Sequence, residues 1–152
     1  MKKLVLIIAA VFATSFLFVA CEDDDKMLES KDFFVAFEQL QGVLSLTSSD
    51  TLRIPVYVAA TTGPAVTVNF DVLAQSTAVE NTDFEFLGGK SVVFENGTGV
   101  RHIQVVSKAG STAPLNATLE IKSNSANYNI GFGFGENRDS LSHHRYTITF
   151  TP

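Results

Sequence analysis

The chain has 152 residues, with 16 Asp and Glu against 11 Lys and Arg, and a formal net charge of −5. That acidic balance argues against the clustered cations that binding a phosphate backbone requires, and a single cysteine excludes an internal disulfide. Roughly 120 residues follow a polar break near residue 32, the size of one ordinary domain whose stability must come from core packing.

Lys2 and Lys3 precede an apolar run from Leu4 to Ala20, interrupted only by Thr14 and Ser15. A basic start, an apolar centre and a small residue before a cut are the parts of a secretory signal. As a free-standing span the run is short, because a bilayer core needs about 20 apolar residues. Cys21 follows Ala20 directly, and Glu22, Asp23, Asp24 and Asp25 follow Cys21. Phe18-Val19-Ala20-Cys21 resembles a bacterial lipoprotein junction, with Phe18 where the commonest form has Leu. The resemblance implies that residues 1–20 are removed and that Cys21 carries a covalent lipid. The contiguous acids resemble the export tag that sends some Gram-negative lipoproteins to the outer face of the outer membrane; the alternative is a solubilising linker. Two of the 11 Lys and Arg and none of the 16 Asp and Glu lie before Cys21, so the chain from Cys21 onward carries −7. Such a chain does not dock electrostatically on anionic lipid, and the acyl groups must hold it at the membrane.

Residues 21–32 are polar and without periodicity, and read as the lipidated cysteine and its acidic tether. From Phe33 onward the period becomes two. Leu52, Ile54, Val56 and Val58 alternate with Thr51, Arg53, Pro55 and Tyr57. Val66, Val68, Phe70 and Val72 alternate with Thr67, Asn69 and Asp71. The same pattern recurs in Ala117, Leu119, Ile121 and in Tyr146, Ile148, Phe150. Alternation of this kind sets one face on a core and the other in water. Further strands are expected at Phe33 to Phe37, Ser91 to Phe94 and Arg101 to Val106, with glycine-rich turns between. About seven short strands and no helical window give an all-β antiparallel sandwich over residues 33–152. Pro55 inside a strand points to an edge or a bulge, because it cannot donate to a ladder.

Ser76-Thr77-Ala78 followed by Asn81-Thr82-Asp83-Phe84 resembles the Gly-Thr-Ala…Gly-x-Asp-aromatic signature of Calx-beta domains. Ile54-Pro55-Val56, Val66 to Phe70, Val93 to Gly97 and His102 to Val105 are similar to the family's flanking strands, in order. The resemblance covers Phe37 to Val106 and implies an immunoglobulin-like two-sheet sandwich. Exchanger-type members bind calcium through clustered acids at one end, and Asp83 and Glu38 are the positions that correspond here. The family's acidic run after the Ile-x-Val strand is replaced by Ser107-Lys108-Ala109-Gly110-Ser111-Thr112. Calcium wants six to eight oxygens, several of them carboxylate, so no cofactor is expected and Asp83 reads as a turn former.

The segment Asn129 to Asp139 carries Gly131, Gly133 and Gly135 around Phe132 and Phe134. Its spacing is no nucleotide fingerprint, for no βαβ unit surrounds it. Phe132 and Phe134 share one strand parity and could present a stacking platform to a sugar or protein, with Arg138 and Asp139 beside them for hydrogen bonds. The alternative is a long hairpin whose rings fold back on the sheet. His143 and His144, beside Arg145 at the start of the last strand, would point to opposite faces and so not share a metal. No nucleophile elbow or carboxylate pair can be nominated, so no enzyme activity is expected.

The expectation from sequence is thus a non-enzymatic, lipid-anchored envelope module that binds glycan or protein, or else a structural envelope subunit without a small ligand; a calcium-binding Calx-beta module using Glu38 and Asp83 is the third alternative, disfavoured by the missing acids. Cys21→Ser tests the anchor: the variant is expected to leave the precursor uncut or to release the protein from the membrane fraction. Unchanged fractionation and acyl labelling would show that Cys21 is not the anchor.

Overall fold

The computed structural model describes residues 29–48, 50–108, 114–132 and 142–152. Cys21 to Asp25, Phe134, Arg138 and Asp139 lie outside the described residues. A short 3-10 turn at Ser30–Asp32 leads into the strands β1 (Phe34–Phe37), β2 (Gln41–Ser45), β3 (Thr51–Ala59), β4 (Val66–Val72) and β5 (Phe84–Leu87). There follow β6 (Ser91–Phe94), β7 (Gly99–Ser107), β8 (Leu115–Asn124), β9 (Asn129–Ile130) and β10 (Arg145–Thr151). They form two five-stranded sheets, one ordered β5-β7-β3-β1-β9 and the other β2-β10-β8-β4-β6.

The alternation read from sequence is what closes the sandwich. Val35, Phe37, Ile54, Val56, Val58, Ile103 and Val105 point inward from the first sheet and are buried. Val66, Val68, Phe70, Ala117, Leu119, Ile121, Tyr146, Ile148 and Phe150 meet them from the second, in one continuous core. Phe84 and Phe150 stack across the two sheets at 5.2 Å, and Phe37 meets Tyr146 at 5.6 Å. Each fully buried aliphatic or aromatic side chain contributes about 1.5–3 kcal/mol.

Three strands beyond the expected seven have little periodic signal. β9 is only two residues long, β5 ends against Gly88-Gly89, and in β2 Leu44 alone is buried. Pro55 is a correction to the edge-or-bulge reading, since β3 is the middle strand of its sheet. The physical reason is local. The carbonyl of Pro55 accepts the Glu38 N–H at 3.1 Å, so its missing donor also faces the β1 side. There β1 has already ended, at Phe37 opposite Val56, and no ladder bond is lost within it.

Two segments cross from one sheet to the other side by side. β1 pairs antiparallel with β3 and parallel with β9, and the chain then continues into β2, which runs parallel to β10. At the crossing the Phe37 N–H donates to the His143 carbonyl at 2.8 Å, and the Thr147 N–H donates to the Leu40 carbonyl at 2.8 Å.

Gly42 makes the second crossing fit. A Cβ at Gly42 would overlap the Tyr146 hydroxyl and lie 3.2 Å from Leu52 Cδ2 and from Tyr146 Cζ. Gly42→Ala is therefore expected to destabilise the fold by about 1–3 kcal/mol through overpacking. Adding Tyr146→Phe should recover part of that loss, read from denaturant midpoints; a neutral Gly42→Ala would refute the close approach.

Candidate functional site

On β3 the core side is Ile54, Val56 and Val58, which leaves Arg53 and Tyr57 on the outer face of the sheet. On β1 the core side is Val35 and Phe37, which places Phe34 outward. Ala36 stands opposite Tyr57, and Tyr57 opposite Val100 of β7, so one register row crosses three strands. The Phe34 and Tyr57 rings meet edge to face at 6.1 Å.

The glycine-rich segment joins this row through a backbone device. Val35 and Ile130 are register partners on the core side, so Phe132 would also turn inward if β9 continued unbroken. Gly131 has φ of +76°, a conformation that glycine adopts without strain, and it breaks the alternation. The Phe132 ring then lies on Phe34 at 5.5 Å and stacks on His143 at 4.4 Å. Phe132 and Ser142 exchange backbone hydrogen bonds of 3.1 and 3.0 Å. The Ser142 hydroxyl donates to the Phe132 carbonyl at 2.8 Å. Its single proton is thereby used, so at the 3.0 Å contact with His143 Nδ1 the imidazole is the donor. His143 holds a φ of +62° here, and β10 begins only at Arg145, so the two histidines are not alternating strand residues.

The arrangement is a line of half-exposed rings, Phe132, Phe34 and Tyr57, on the backbone of a sheet. Of the residues expected to form a binding loop, Phe132 is placed in this line, and it rests on the sheet rather than standing free of it. Phe34 and Tyr57 were missed as site residues. Tyr57 carried a signal, as an aromatic in the water-facing half of an alternating strand.

The corresponding calcium positions do not assemble. Glu38 lies in the row of Pro55, and Asp83 lies beyond the row that joins Phe84 to Ser107 and Asp50. About five residue rises along the strands and three strands across put them on the order of 20 Å apart. The Asp83 carboxylate accepts the Val79 N–H at 2.7 Å, closing a local turn, and Lys108 stands close by, paired with Glu85 at 2.7 Å. Among the described residues no three His, Cys, Asp or Glu side chains gather to hold a metal ion.

The opposite outer face is electrostatically closed. Arg145, Glu120 and Asp71 are register partners across β10, β8 and β4. Glu120 bonds Lys122 and Arg145, while Lys90 bonds Asp71 at 2.8 Å and Glu80 at 2.7 Å. Hydrogen bonds from Lys122 first, then Arg145, hold the Glu120 carboxyl below its ordinary 4.5.

No family model matches the chain, and no curated protein matches it by sequence. Solved structures do match. The apo-form Calx CBD1 domain superposes with a TM-score of 0.59 at 11% identity, over 78% of this chain and 96% of that one. The CBD12 pair from CALX1.2 gives 0.56 at 11% identity, over 77% of this chain and 43% of that one. A proposed carbohydrate binding protein from Bacteroides ovatus gives 0.54 at 10% identity, over 77% of this chain and 36% of that one. The present chain thus spans less than half the length of the latter two. What is shared at these identities is the fold: a Calx-beta-like, immunoglobulin-like β-sandwich.

Because the folded Glu120 carboxyl is depressed, its contribution to stability is present above the unfolded carboxylate range and is lost as pH falls through the folded value. Glu120→Gln is expected to lower stability near pH 7 by less than about 1 kcal/mol, since its cationic partners are half-exposed. The gap should close on acidification below 4.5 in pH-dependent urea titrations. A pH-independent difference would assign the loss to packing instead.

Proposed function

We propose that this chain is a non-enzymatic binding module of a bacterial cell envelope, lipid-anchored at the outer membrane through Cys21 and displayed at the cell surface. The Phe18-to-Asp25 junction supports the address. The observation that carries the binding role is the half-exposed line of Phe132, Phe34 and Tyr57, backed by the β1–β3 ladder. Aromatic side chains offer broad apolar faces with few rotors, so a ring held by a sheet loses little entropy when a ligand stacks on it. Pyranose rings and apolar peptide side chains both suit such faces. The shared fold with a proposed carbohydrate binding protein favours glycan as the first ligand to examine.

The second reading is a structural envelope subunit whose aromatic line packs on another protein. Calcium is not part of either reading, because the Asp83 carboxylate is spent on the Val79 N–H.

Tyr57→Ala discriminates. Tyr57 is half-exposed and meets the Phe34 ring edge to face, so truncation should cost only about 1 kcal/mol of stability. Retention on a polysaccharide panel should nevertheless fall tenfold or more, equivalent to at least about 1.4 kcal/mol. If glycan retention is absent and cross-linking on intact cells captures an envelope protein through Tyr57, the structural reading stands. If neither glycan nor protein contact changes, the aromatic line is not the site.

A further inference from the structure

The outermost strand of a sheet leaves a row of backbone N–H and C=O groups that a strand from another molecule can pair with. Among the described residues the end strands of the two sheets are β5 and β9, and β2 and β6. Three of them are blunted. β9 is two residues long, β5 carries Glu85, and β6 lies directly between Lys90 and Glu95. β2 has none of these protections, for the sequence from Gln39 to Ser49 holds no charge and no proline. Val43 at its centre is 64% exposed, the most of any large apolar side chain among the described residues, and Leu40 just before it is 53% exposed.

The ladder with β10 decides which backbone groups of β2 remain open. The Leu40 carbonyl accepts the Thr147 N–H at 2.8 Å, and the Leu46 N–H donates to the Thr151 carbonyl at 2.7 Å. The alternation between these two bonds turns Gly42 and Leu44 toward β10 as well. It therefore turns the N–H and C=O of Gln41, Val43 and Ser45 to the open side, with Val43 as their midpoint. A second β2 laid antiparallel on that side sets Val43 opposite its own copy and Gln41 opposite Ser45 twice. Each of these three pairs then exchanges two backbone hydrogen bonds. Both copies use the same surface, the requirement of a closed two-fold contact.

Charge selects the occupant. From Cys21 onward the chain carries −7, so two copies repel over most approaches. At β2 they do not, since the nearest acids, Glu38 and Asp50, both lie outside the strand. Thr147, Thr149 and Thr151, on the outer face of the neighbouring β10, are uncharged too. A basic or acidic partner finds no counter-charge here, whereas a second β2 matches both the neutrality and the hydrogen-bond register. We infer that the protein self-associates through β2, joining the second sheets of two copies into one continuous sheet across a two-fold axis. A seam of five residues a side falls short of the roughly 1,200 Å² of a standard interface, so the dimer is weak and exchanging. The seam belongs to the sheet that does not carry the aromatic line, and it stands whether or not that line binds glycan.

The test reads register by cysteine cross-linking of the full chain in neutral detergent under mild copper oxidation, with the unsubstituted chain as the control for Cys21. Val43→Cys is expected to give a disulfide-linked dimer, because the two copies of residue 43 sit with Cα atoms about 5.5 Å apart, within disulfide reach. Gln41→Cys alone should not, since its two copies lie about 13–14 Å apart along the seam. Gln41→Cys combined with Ser45→Cys should cross-link again. In sedimentation the midpoint of dissociation of Val43→Lys should rise about tenfold or more at unchanged melting temperature, the side chain being exposed. Equal cross-linking of Val43→Cys, Gln41→Cys and Val93→Cys, the last on the far edge strand of the same sheet, would reflect shared micelles and overturn the seam. A sedimentation profile independent of concentration would overturn it as well. Cross-linking of Val43→Cys to a different protein on intact cells, with none to its own copy, would assign the edge to a foreign strand and overturn self-association.

Discussion

Much of this molecule hangs on the hydrogen bond from the Phe37 N–H to the His143 carbonyl. It joins the two segments that leave one sheet for the other, and so sets where β1 gives way to β2 and where the glycine-rich stretch gives way to β10. The same junction brings Phe132 over Phe34, because Gly131 turns just as β9 ends and His143 turns just before β10 starts. Core packing holds the sheets together by mass of contact, whereas this junction decides which residues the outer face displays. A sandwich of equal hydrophobic content without the crossing would bury the same aliphatics and have no aromatic line.

The two outer faces illustrate how charge pairing rather than charge count defines a surface. One face carries Arg145, Glu120, Lys122, Asp71 and Lys90 in a satisfied lattice, with little left to offer a partner. The other carries Arg53, exposed and without an ion pair among the described residues, on the side that holds the Tyr57 ring. A net charge of −5 for the whole chain describes neither.

The long strands were legible because their cores repeat with period two over six or more residues, as in Ile54-Val56-Val58 and Tyr146-Ile148-Phe150. The Calx-beta-like order of landmarks was also legible, and the sandwich follows it. β2, β5 and β9 were not, since each is short and its pairing comes from a distant strand rather than from its own pattern. Pro55 misled for a related reason: the rule against central prolines assumes a neighbour on both sides along the whole strand, and β1 stops one residue short of Pro55. Gly131 resets the alternation between Ile130 and Phe132, so the direction of the Phe132 ring could not be read from the strand pattern, while Phe134 lies outside the described residues. Phe34 and Tyr57 escaped because their adjacency is a matter of register, which no single strand reveals.

The pairing of Gln41 with Thr147 has a consequence in time. The two residues are separated by some 100 positions, and β1 likewise waits for β9. A growing chain therefore makes β2 long before β10, its one ladder partner among the described residues. Until the final seven-residue strand is made and docked, β2 and β8 both present an open edge, the state in which sheets recruit strands from other molecules. With so many non-local contacts, closure is slow relative to helical domains of this size. The sandwich thus depends on β10 for completion and is most exposed to misassembly just before that strand docks.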